Sequence, residues 1–285
     1  MKTNEKNIDS SKDIISDYSE LRDDHILKII KRGGILTGSL GCGKSELSKY
    51  IIKRINQYFI DHQEDFNYDA KIRIFDLIHN WRFNFSSEAS YCFVDERTRK
   101  LTLSPDLLIF DMELDDVEDR INLMHKVIGR EFKNNRLEIL KIKRKELLPT
   151  RFYVIEESNV IFTGSSIKKG FWQDFVSVAR NFNLTGMYIM QRLADSSTKI
   201  TERYANYIFG QTRGGNDLRK IKGMMSKEEW KEFSPNKLEA HEFIIIIDQE
   251  VFKFRIPKNE VNKDFNIFEG KEAKEYDWNK NMEIK

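Results

Sequence analysis

One motif constrains the fold of this chain more than any other feature. It is the sequence GSLGCGKS at residues 38–45, between a short apolar run at residues 34–37 and a stretch of helical periodicity at residues 46–59. Its glycines allow a tight turn whose backbone N–H groups point inward, and the helix that follows adds its positive end. This order of strand, glycine-rich turn and helix predicts a loop that holds the phosphates of a nucleoside triphosphate.

The residue types in the motif also indicate how the nucleotide would be held. Lys44 can reach the β- and γ-phosphates, and the Ser45 hydroxyl can hold Mg²⁺, so ATP and Mg²⁺ are the predicted cofactors. The predicted nucleotide-binding residues are Gly38, Ser39, Leu40, Gly41, Cys42, Gly43, Lys44, Ser45 and Glu46.

Further apolar runs predict the rest of the fold. Strands are expected at residues 71–76, 107–111, 151–157 and 184–190, with shorter ones around 89–94, 100–103 and 207–209. Helices are expected at 115–143 and 171–182, and a C-terminal hairpin at 243–247 and 251–256. Strands alternating with helices indicate an α/β fold with a mostly parallel central sheet flanked by helices. Two further strands lie between the phosphate loop and the strand that ends in two carboxylates. This arrangement favours P-loop proteins with an additional central strand.

Composition limits where this protein works and what it contacts. The 285 residues include 48 Lys+Arg and 46 Asp+Glu, a net charge of +2, so contact with DNA would depend on local basic patches at 141–145 and 165–170. Two cysteines and the lack of a long apolar run predict a soluble protein without membrane insertion. We expect it in the cytoplasm, or in the host cytoplasm or virion if it is viral.

The same patterns divide the chain into three parts. Residues 1–24 are polar and predict a flexible N-terminal arm, residues 25–257 hold the predicted P-loop ATPase domain, and residues 258–285 predict a polar C-terminal tail.

Two carboxylates follow the predicted strand that starts at Arg151. Because that strand is expected to end beside the phosphate loop, Glu156 is assigned to Mg²⁺ and Glu157 to the water that attacks the γ-phosphate. An aspartate is commoner at the metal position, so the division of roles between the two glutamates stays open.

Polar residues around the strand at 184–190 supply the remaining candidates. Gln191 ends this strand, where a polar side chain can touch the γ-phosphate or the attacking water. Arg180 precedes it and is our choice for an arginine that acts across a subunit interface. The alternatives for that role are Arg192, Arg203 and Arg213.

Taken in order, these motifs resemble the FtsK–HerA superfamily of DNA-pumping ATPases. The matching stretches are residues 34–45, 154–157 and 179–192. The resemblance implies a RecA-like fold of the additional-strand type, with Gln191 as the sensor and Arg180 as the arginine finger. It also implies a homo-oligomeric ring, often a hexamer, that moves double-stranded DNA. The chain shows neither the large N-terminal barrel of HerA nor the membrane domain of FtsK, and so looks more like viral genome-packaging ATPases, whose partners would include a capsid or portal protein.

Two other functions compete with DNA translocation. One is an assembly or secretion ATPase, resembling the morphogenesis proteins of filamentous phages, that acts on a protein partner without pumping DNA. The other is a nucleotide-binding switch that does not hydrolyse ATP, against which the intact pair of Glu156 and Glu157 argues.

Overall fold

A nine-stranded sheet organises the chain in the computed structural model. The structure describes residues 18–76, 89–94, 103, 106–112, 116–142, 144–162, 171–197, 201 and 203–261. The strands are β1 Gly34–Thr37, β2 Ala70–Asp76, β3 Ala89–Val94, β4 Leu107–Met112, β5 Thr150–Ile155, β6 Leu184–Met190, β7 Asn206–Phe209, β8 Glu242–Ile247 and β9 Glu250–Arg255. The helices are α1 Asp23–Arg32, α2 Lys44–Asp61, α3 Val117–Ile142, α4 Asn159–Phe162, α5 Phe171–Val178, α6 Gly215–Lys222, α7 Lys227–Glu232 and α8 Lys258–Val261.

The strand order places the predicted site at one edge of this sheet. The order is β3-β4-β2-β5-β6-β1-β7-β8-β9, with β1 to β7 parallel and the β8–β9 hairpin antiparallel. Strand β6 lies between β1 and β5, which confirms the predicted additional central strand. The carboxyl ends of β1, β5 and β6 therefore meet at a single edge, where ligands bind in open α/β sheets.

Helices cover both faces of the sheet, which explains why the central strands are continuous apolar runs. On one face, Ile35 of β1 and Tyr153 of β5 join a core with α3 and α5. On the other, Leu36 and Phe152 join a core with α1 and α2. The predicted α/β class with a mostly parallel, helix-flanked sheet is confirmed.

Two element boundaries differ from those that the sequence predicts, and two of the described helices were not expected. Strand β5 ends at Ile155, so Glu156 and Glu157 lie in the turn that follows, where Glu157 has a left-handed φ of 47°. The helix expected at 171–182 ends at Val178 and continues as a 3₁₀ turn, Ala179–Phe182. Helices α6 and α7 were not predicted.

The folded region begins before the predicted boundary at residue 24. The Ser19 amide donates to the carbonyl of Lys253 on β9 at 2.9 Å, and Leu21 is buried in the core with α1 and α2. The Tyr18 hydroxyl donates to the Glu242 carboxylate. We therefore place the start of the domain at or before Tyr18, and the division into arm, domain and tail stays a prediction. Residues 1–17 of the arm and 262–285 of the tail lie outside the described residues.

Candidate active site

The predicted phosphate loop connects the end of β1 to the start of α2. Gly41 and Gly43 have φ angles of 77° and 94°, a left-handed backbone that favours glycine. Gly43 is also the residue that begins α2, and a Cβ there would lie 2.5 Å from a ring carbon of His241. Since α2 is 18 residues long, its N-terminal amides and dipole add to an anion site at this loop.

The lysine of the motif lies folded across this loop. Its Nζ donates to the carbonyl oxygens of Gly38 at 2.7 Å and Ser39 at 3.0 Å. A phosphate that enters the loop can take over these hydrogen bonds, because the ammonium already lies against the backbone that would surround it. Leu40, by contrast, is 89% exposed and points away from the core.

Two segments distant in sequence hold the loop in place. The Ser39 amide donates to the Gln211 carbonyl at 2.8 Å, and the His241 amide donates to the Cys42 carbonyl at 3.0 Å. The buried Cys42 side chain packs against Gly210, where an added Cβ would lie 2.5 Å from its Sγ. Burial raises the pKa of the Cys42 thiol.

Sequence reasoning missed Gly210, Gln211 and His241. A usable signal existed for the first two: they follow directly after the short apolar run at 207–209, and that strand pairs with β1. Residues just beyond the carboxyl end of a neighbouring parallel strand lie beside the loop that leaves β1.

A group of charged side chains lies between the phosphate loop and the end of β5. Glu156 is buried, with 1% of its surface exposed, and its amide donates to the carbonyl of Phe75 on β2 at 3.3 Å. Partial burial lowers the pKa of the Lys49 ammonium on α2. The carboxylates that oppose this shift are those of Glu156, Glu46 and Asp76. Lys49 and the buried Asp76 were not among the predicted site residues.

Such a group suits a nucleotide-bound magnesium ion. Mg²⁺ binds through one or two carboxylates together with phosphate and water oxygens. The Ser45 hydroxyl at the start of α2 and the buried Glu156 carboxylate are the residues that could hold it, and the acidic surroundings of Lys49 would favour a cation.

The structure brings Glu157 and Gln191 into direct contact. The Gln191 Nε2 donates to the Glu157 Oε1 at 2.7 Å. Asn159 reinforces the link, because its Oδ1 accepts from the Gln191 amide at 3.2 Å and its Nδ2 donates to the Arg192 carbonyl at 3.0 Å. The turn after β5 and the end of β6 are therefore tied together by side chains, and Asn159 was not among the predicted site residues.

Arg180 lies at the opposite edge of the sheet. It is exposed on the 3₁₀ turn that precedes β6, whose seven residues span roughly 20 Å at about 3.3 Å per residue. Arg180 therefore lies far from the phosphate loop of its own chain, and its action on another subunit stays a prediction.

The other three arginines differ in their surroundings. Arg192 lies within 3.8 Å of Asp217 and 3.6 Å of Asp195, and Arg213 donates to the Gln211 side chain at 3.4 Å. Arg203 is exposed. Arg192 and Arg213 lie beyond the carboxyl ends of β6 and β7, on the same side of the sheet as the phosphate loop of their own chain.

The described residues include most of the basic patch at 141–145 and none of the patch at 165–170. Lys141, on α3, forms an ion pair of 3.3 Å with Glu138, and residue 143 lies outside the described residues. The patch at 165–170 also lies wholly outside them. Their contact with DNA stays a prediction.

Solved structures share this fold, although no protein-family model and no curated protein matches the chain. The genome packaging NTPase B204 of Sulfolobus turreted icosahedral virus 2, in complex with AMPPCP, aligns with a TM-score of 0.53 at 17% identity, over 80% of this chain and 99% of B204. This chain has the fold of FtsK–HerA-type ATPases.

Two larger proteins match part of their length. The pCW3 conjugation coupling protein TcpA with ATPγS gives a TM-score of 0.51 at 15% identity, over 80% of this chain and 60% of TcpA. EssC of Geobacillus thermodenitrificans gives 0.54 at 12% identity, over 81% of this chain and 42% of that structure. At these identities the likeness establishes the fold, and this chain corresponds to about half of either structure.

The described helices range in length from 4 to 26 residues. None of them is both long enough and apolar enough to cross a membrane.

Proposed function

We propose that this chain is an ATP-hydrolysing motor whose copies form a ring, and that the ring moves double-stranded DNA to package a viral genome. The observation that carries the proposal is the 2.7 Å contact between Gln191 and Glu157, beside a phosphate loop on a sheet of the additional-strand type. This arrangement joins a nucleotide-binding loop to a carboxylate and an amide that can act on a water molecule.

ATP would bind with its phosphates in the loop at residues 38–45. Lys44 would exchange its bonds to Gly38 and Ser39 for bonds to the β- and γ-phosphates. Ser45 and Glu156 would hold Mg²⁺ directly or through water, and Mg²⁺ when bound neutralises charge on the phosphate oxygens.

Glu157 would act on the attacking water. Its carboxylate accepts a proton as the water oxygen bonds to the γ-phosphorus and the bond from that phosphorus to the β–γ bridging oxygen breaks, giving ADP and phosphate. Glu157 is half-buried at the end of a central strand, where it can approach both water and nucleotide.

Gln191 would report the state of the nucleotide. Its side-chain amide donates to Glu157 at 2.7 Å. A γ-phosphate competes for the same N–H group, so ATP binding would release Glu157 to orient water and pull on the end of β6. Asn159 would carry that displacement to the segment after β5, since it begins α4 and contacts Gln191 and Arg192.

The ring is proposed because Arg180 lies at the edge of the sheet remote from its own loop. In a head-to-tail ring, that edge can face the nucleotide of the next copy, where an arginine neutralises charge in the transition state. A hexamer is the expected size, working in the cytoplasm or, for a viral protein, in the host cytoplasm or virion with a capsid or portal protein.

DNA as the substrate is supported by the comparison with B204. That protein is named a genome packaging NTPase. The alignment covers 99% of B204, so B204 has no large domain that this chain fails to match. TcpA, a conjugation coupling protein, shares the fold as well. The basic patches at 141–145 and 165–170 are the proposed contacts with the DNA backbone.

A second candidate is an ATPase that acts on a protein partner. It is favoured by the fold shared with EccC, a Type VII secretion ATPase from Thermomonospora curvata, at a TM-score of 0.51 and 14% identity. The chain spans 25% of that structure, so the likeness concerns a single ATPase unit.

The test is steady-state ATP hydrolysis with and without duplex DNA. We expect DNA to stimulate hydrolysis, and the Glu157→Gln variant to lose about 10²- to 10⁴-fold in rate while still binding ATP. Glu232→Gln, an exposed glutamate on α7, is the matched control. Turnover that DNA leaves unchanged would favour the protein-partner candidate, and a wild-type protein without turnover would favour the nucleotide switch.

A further inference from the structure

A cavity of about 390 Å³ opens at the amino edge of the sheet, around Arg180. It lies where β5 and β6 begin, at the edge opposite the phosphate loop. Its lining residues are Ile30, Lys31, Asp65, Phe66, Lys145, Glu146, Thr150, Arg180, Asn183 and Thr185. Lys31, Lys145 and Arg180 make it a cation-lined cavity, and we use that name below.

The three cations outnumber the carboxylates of the cavity and are not neutralised by them. Within the described residues, no carboxylate lies within 4.0 Å of the charged nitrogens of Lys31, Lys145 or Arg180. Asp65 lies instead 3.7 Å from the ring Nδ1 of His62. Partial burial, together with the charge of Arg180 and then of Lys31, lowers the pKa of the Lys145 ammonium, against an opposing effect of Glu146.

The polar groups around the cations are already fixed by the fold. Asn183 donates to the carbonyls of Lys145 at 2.9 Å and Leu148 at 3.2 Å, and Thr185 donates to the Ile30 carbonyl at 2.5 Å. The segment that carries Lys145 is thereby tied to the turn before β6. The backbone positions of Lys145 and Arg180 are therefore linked, which places both side chains beside the same cavity.

We propose that the cation-lined cavity receives the phosphates of the nucleotide bound to an adjacent copy, with Lys145 and Lys31 acting beside Arg180. This inference rests on the proposed function. The positive charge that acts on the nucleotide of the adjacent copy would then come from a preformed cavity with three cations, not from one arginine. The nucleotide of the same chain is excluded as the ligand, because β6 separates its loop from the cavity by roughly 20 Å.

The first test compares three variants in steady-state ATP hydrolysis. We expect Lys145→Gln to lower kcat about tenfold and Lys145→Arg to retain most of it, since loss of a charge-assisted hydrogen bond to phosphate costs about that factor. Lys258→Gln, an exposed lysine on α8, should match the wild type. Binding of a fluorescent ATP analogue by the dilute Lys145→Gln protein should stay unchanged, because its own loop is intact.

The second test asks whether Lys145 acts across an interface. Lys44→Ala keeps the cavity and loses the loop, whereas Lys145→Gln keeps the loop and loses the lysine. In an equimolar mixture that exchanges copies, about a quarter of the interfaces of a head-to-tail ring pair an intact loop with an intact cavity. We expect the mixture to exceed both parent proteins and to approach that fraction of wild-type turnover.

Other outcomes overturn the inference and leave the proposed function identifiable. If the wild type hydrolyses ATP and Lys145→Gln equals Lys258→Gln, the inference fails and the proposed function stands; if the wild type is inactive, the proposed function itself fails. A Lys145→Gln protein that stays monomeric would make this lysine an assembly residue. The cavity would be assigned to free phosphate instead if two results occur together. The mixture shows no rescue, and calorimetry shows that inorganic phosphate binds Lys44→Ala but not Lys44→Ala/Lys145→Gln.

Discussion

The two edges of the parallel sheet hold their polar groups in opposite ways. At the carboxyl edge, the Gln191 Nε2 donates to the Glu157 Oε1 at 2.7 Å, and the Lys44 Nζ donates to a carbonyl of its own loop. The polar side chains of this edge therefore already have hydrogen-bond partners. At the amino edge, Lys145 and Arg180 line a cavity without a carboxylate partner among the described residues. The first edge can respond to a ligand by exchanging partners, whereas the second can only supply charge.

This contrast separates two kinds of mutational effect. Under the proposed function, we expect a change at the carboxyl edge to alter how a chain binds or hydrolyses its own nucleotide. We expect a change at the amino edge to alter hydrolysis of the nucleotide bound to another copy.

The largest effect is expected for Arg180→Ala. The variant should lose about 10³- to 10⁵-fold in kcat for ATP, because an arginine that neutralises the transition state contributes that much. Its affinity for an ATP analogue should not change, since the residue lies at the edge remote from its own loop. Arg219→Ala, an exposed arginine on α6, serves as the control in both assays. A matching loss of nucleotide affinity in the dilute variant would break the division between the edges.

A smaller effect, with a distinct signature, is expected for Gln191→Glu. A second carboxylate 2.7 Å from Glu157 would raise the pKa of the pair, and Glu157 must be deprotonated to accept a proton from water. The acidic limb of the pH–rate profile should therefore move to higher pH, by about one to two units.

The control for this prediction is Gln191→Ala, which removes the amide without adding a charge. It should lower the rate, about tenfold to a hundredfold, without moving the limb. Superimposable profiles for the two variants would show that Gln191 does not act through Glu157.

The smallest effect concerns the support of the phosphate loop. Gly210→Ala should lower the free energy of unfolding by about 1–3 kcal/mol, because its Cβ would lie 2.5 Å from the Cys42 Sγ. Cys42→Ala should offset part of that loss when the two changes are combined, as a double-mutant cycle in urea would measure. Strict additivity of the two changes would mean that the thiol and Gly210 do not contact each other.

Local sequence patterns were enough to predict most of the central sheet. The phosphate loop, with β1 before it and α2 after it, is specified by glycines and by an apolar period within one short segment. Strands β5 and β6 are continuous apolar runs because helices cover both faces, and their ends supplied Glu156, Glu157 and Gln191. The catalytic and binding roles of these residues stay predictions.

What the sequence missed depends on contacts between distant segments. His241 supports the phosphate loop through its backbone amide, so its side-chain identity carried no signal. Gln211 acts through its backbone carbonyl, and only its position after the apolar run at 207–209 could have indicated it. Asp76 ends a predicted strand, but only the strand order places it near Lys49.

Two other misses were local. Helix α7 begins with a capping box formed by Ser226 and Glu229, a pattern visible in the sequence but attached to a helix of only six residues. Leu21 stands alone in a polar stretch. An isolated apolar residue shows no periodicity, so the sequence does not distinguish a segment packed on the domain from a flexible arm.

The packed segment at residues 18–21 affects how the protein behaves at high concentration. Strand β9 ends the sheet, and the Ser19 amide occupies the Lys253 carbonyl on its outer edge. Exposed strand edges are templates on which further chains can add, and proteins commonly cover them. We expect truncation through Leu21 to expose this edge and the pocket that Leu21 fills, and thereby to favour edge-to-edge aggregation.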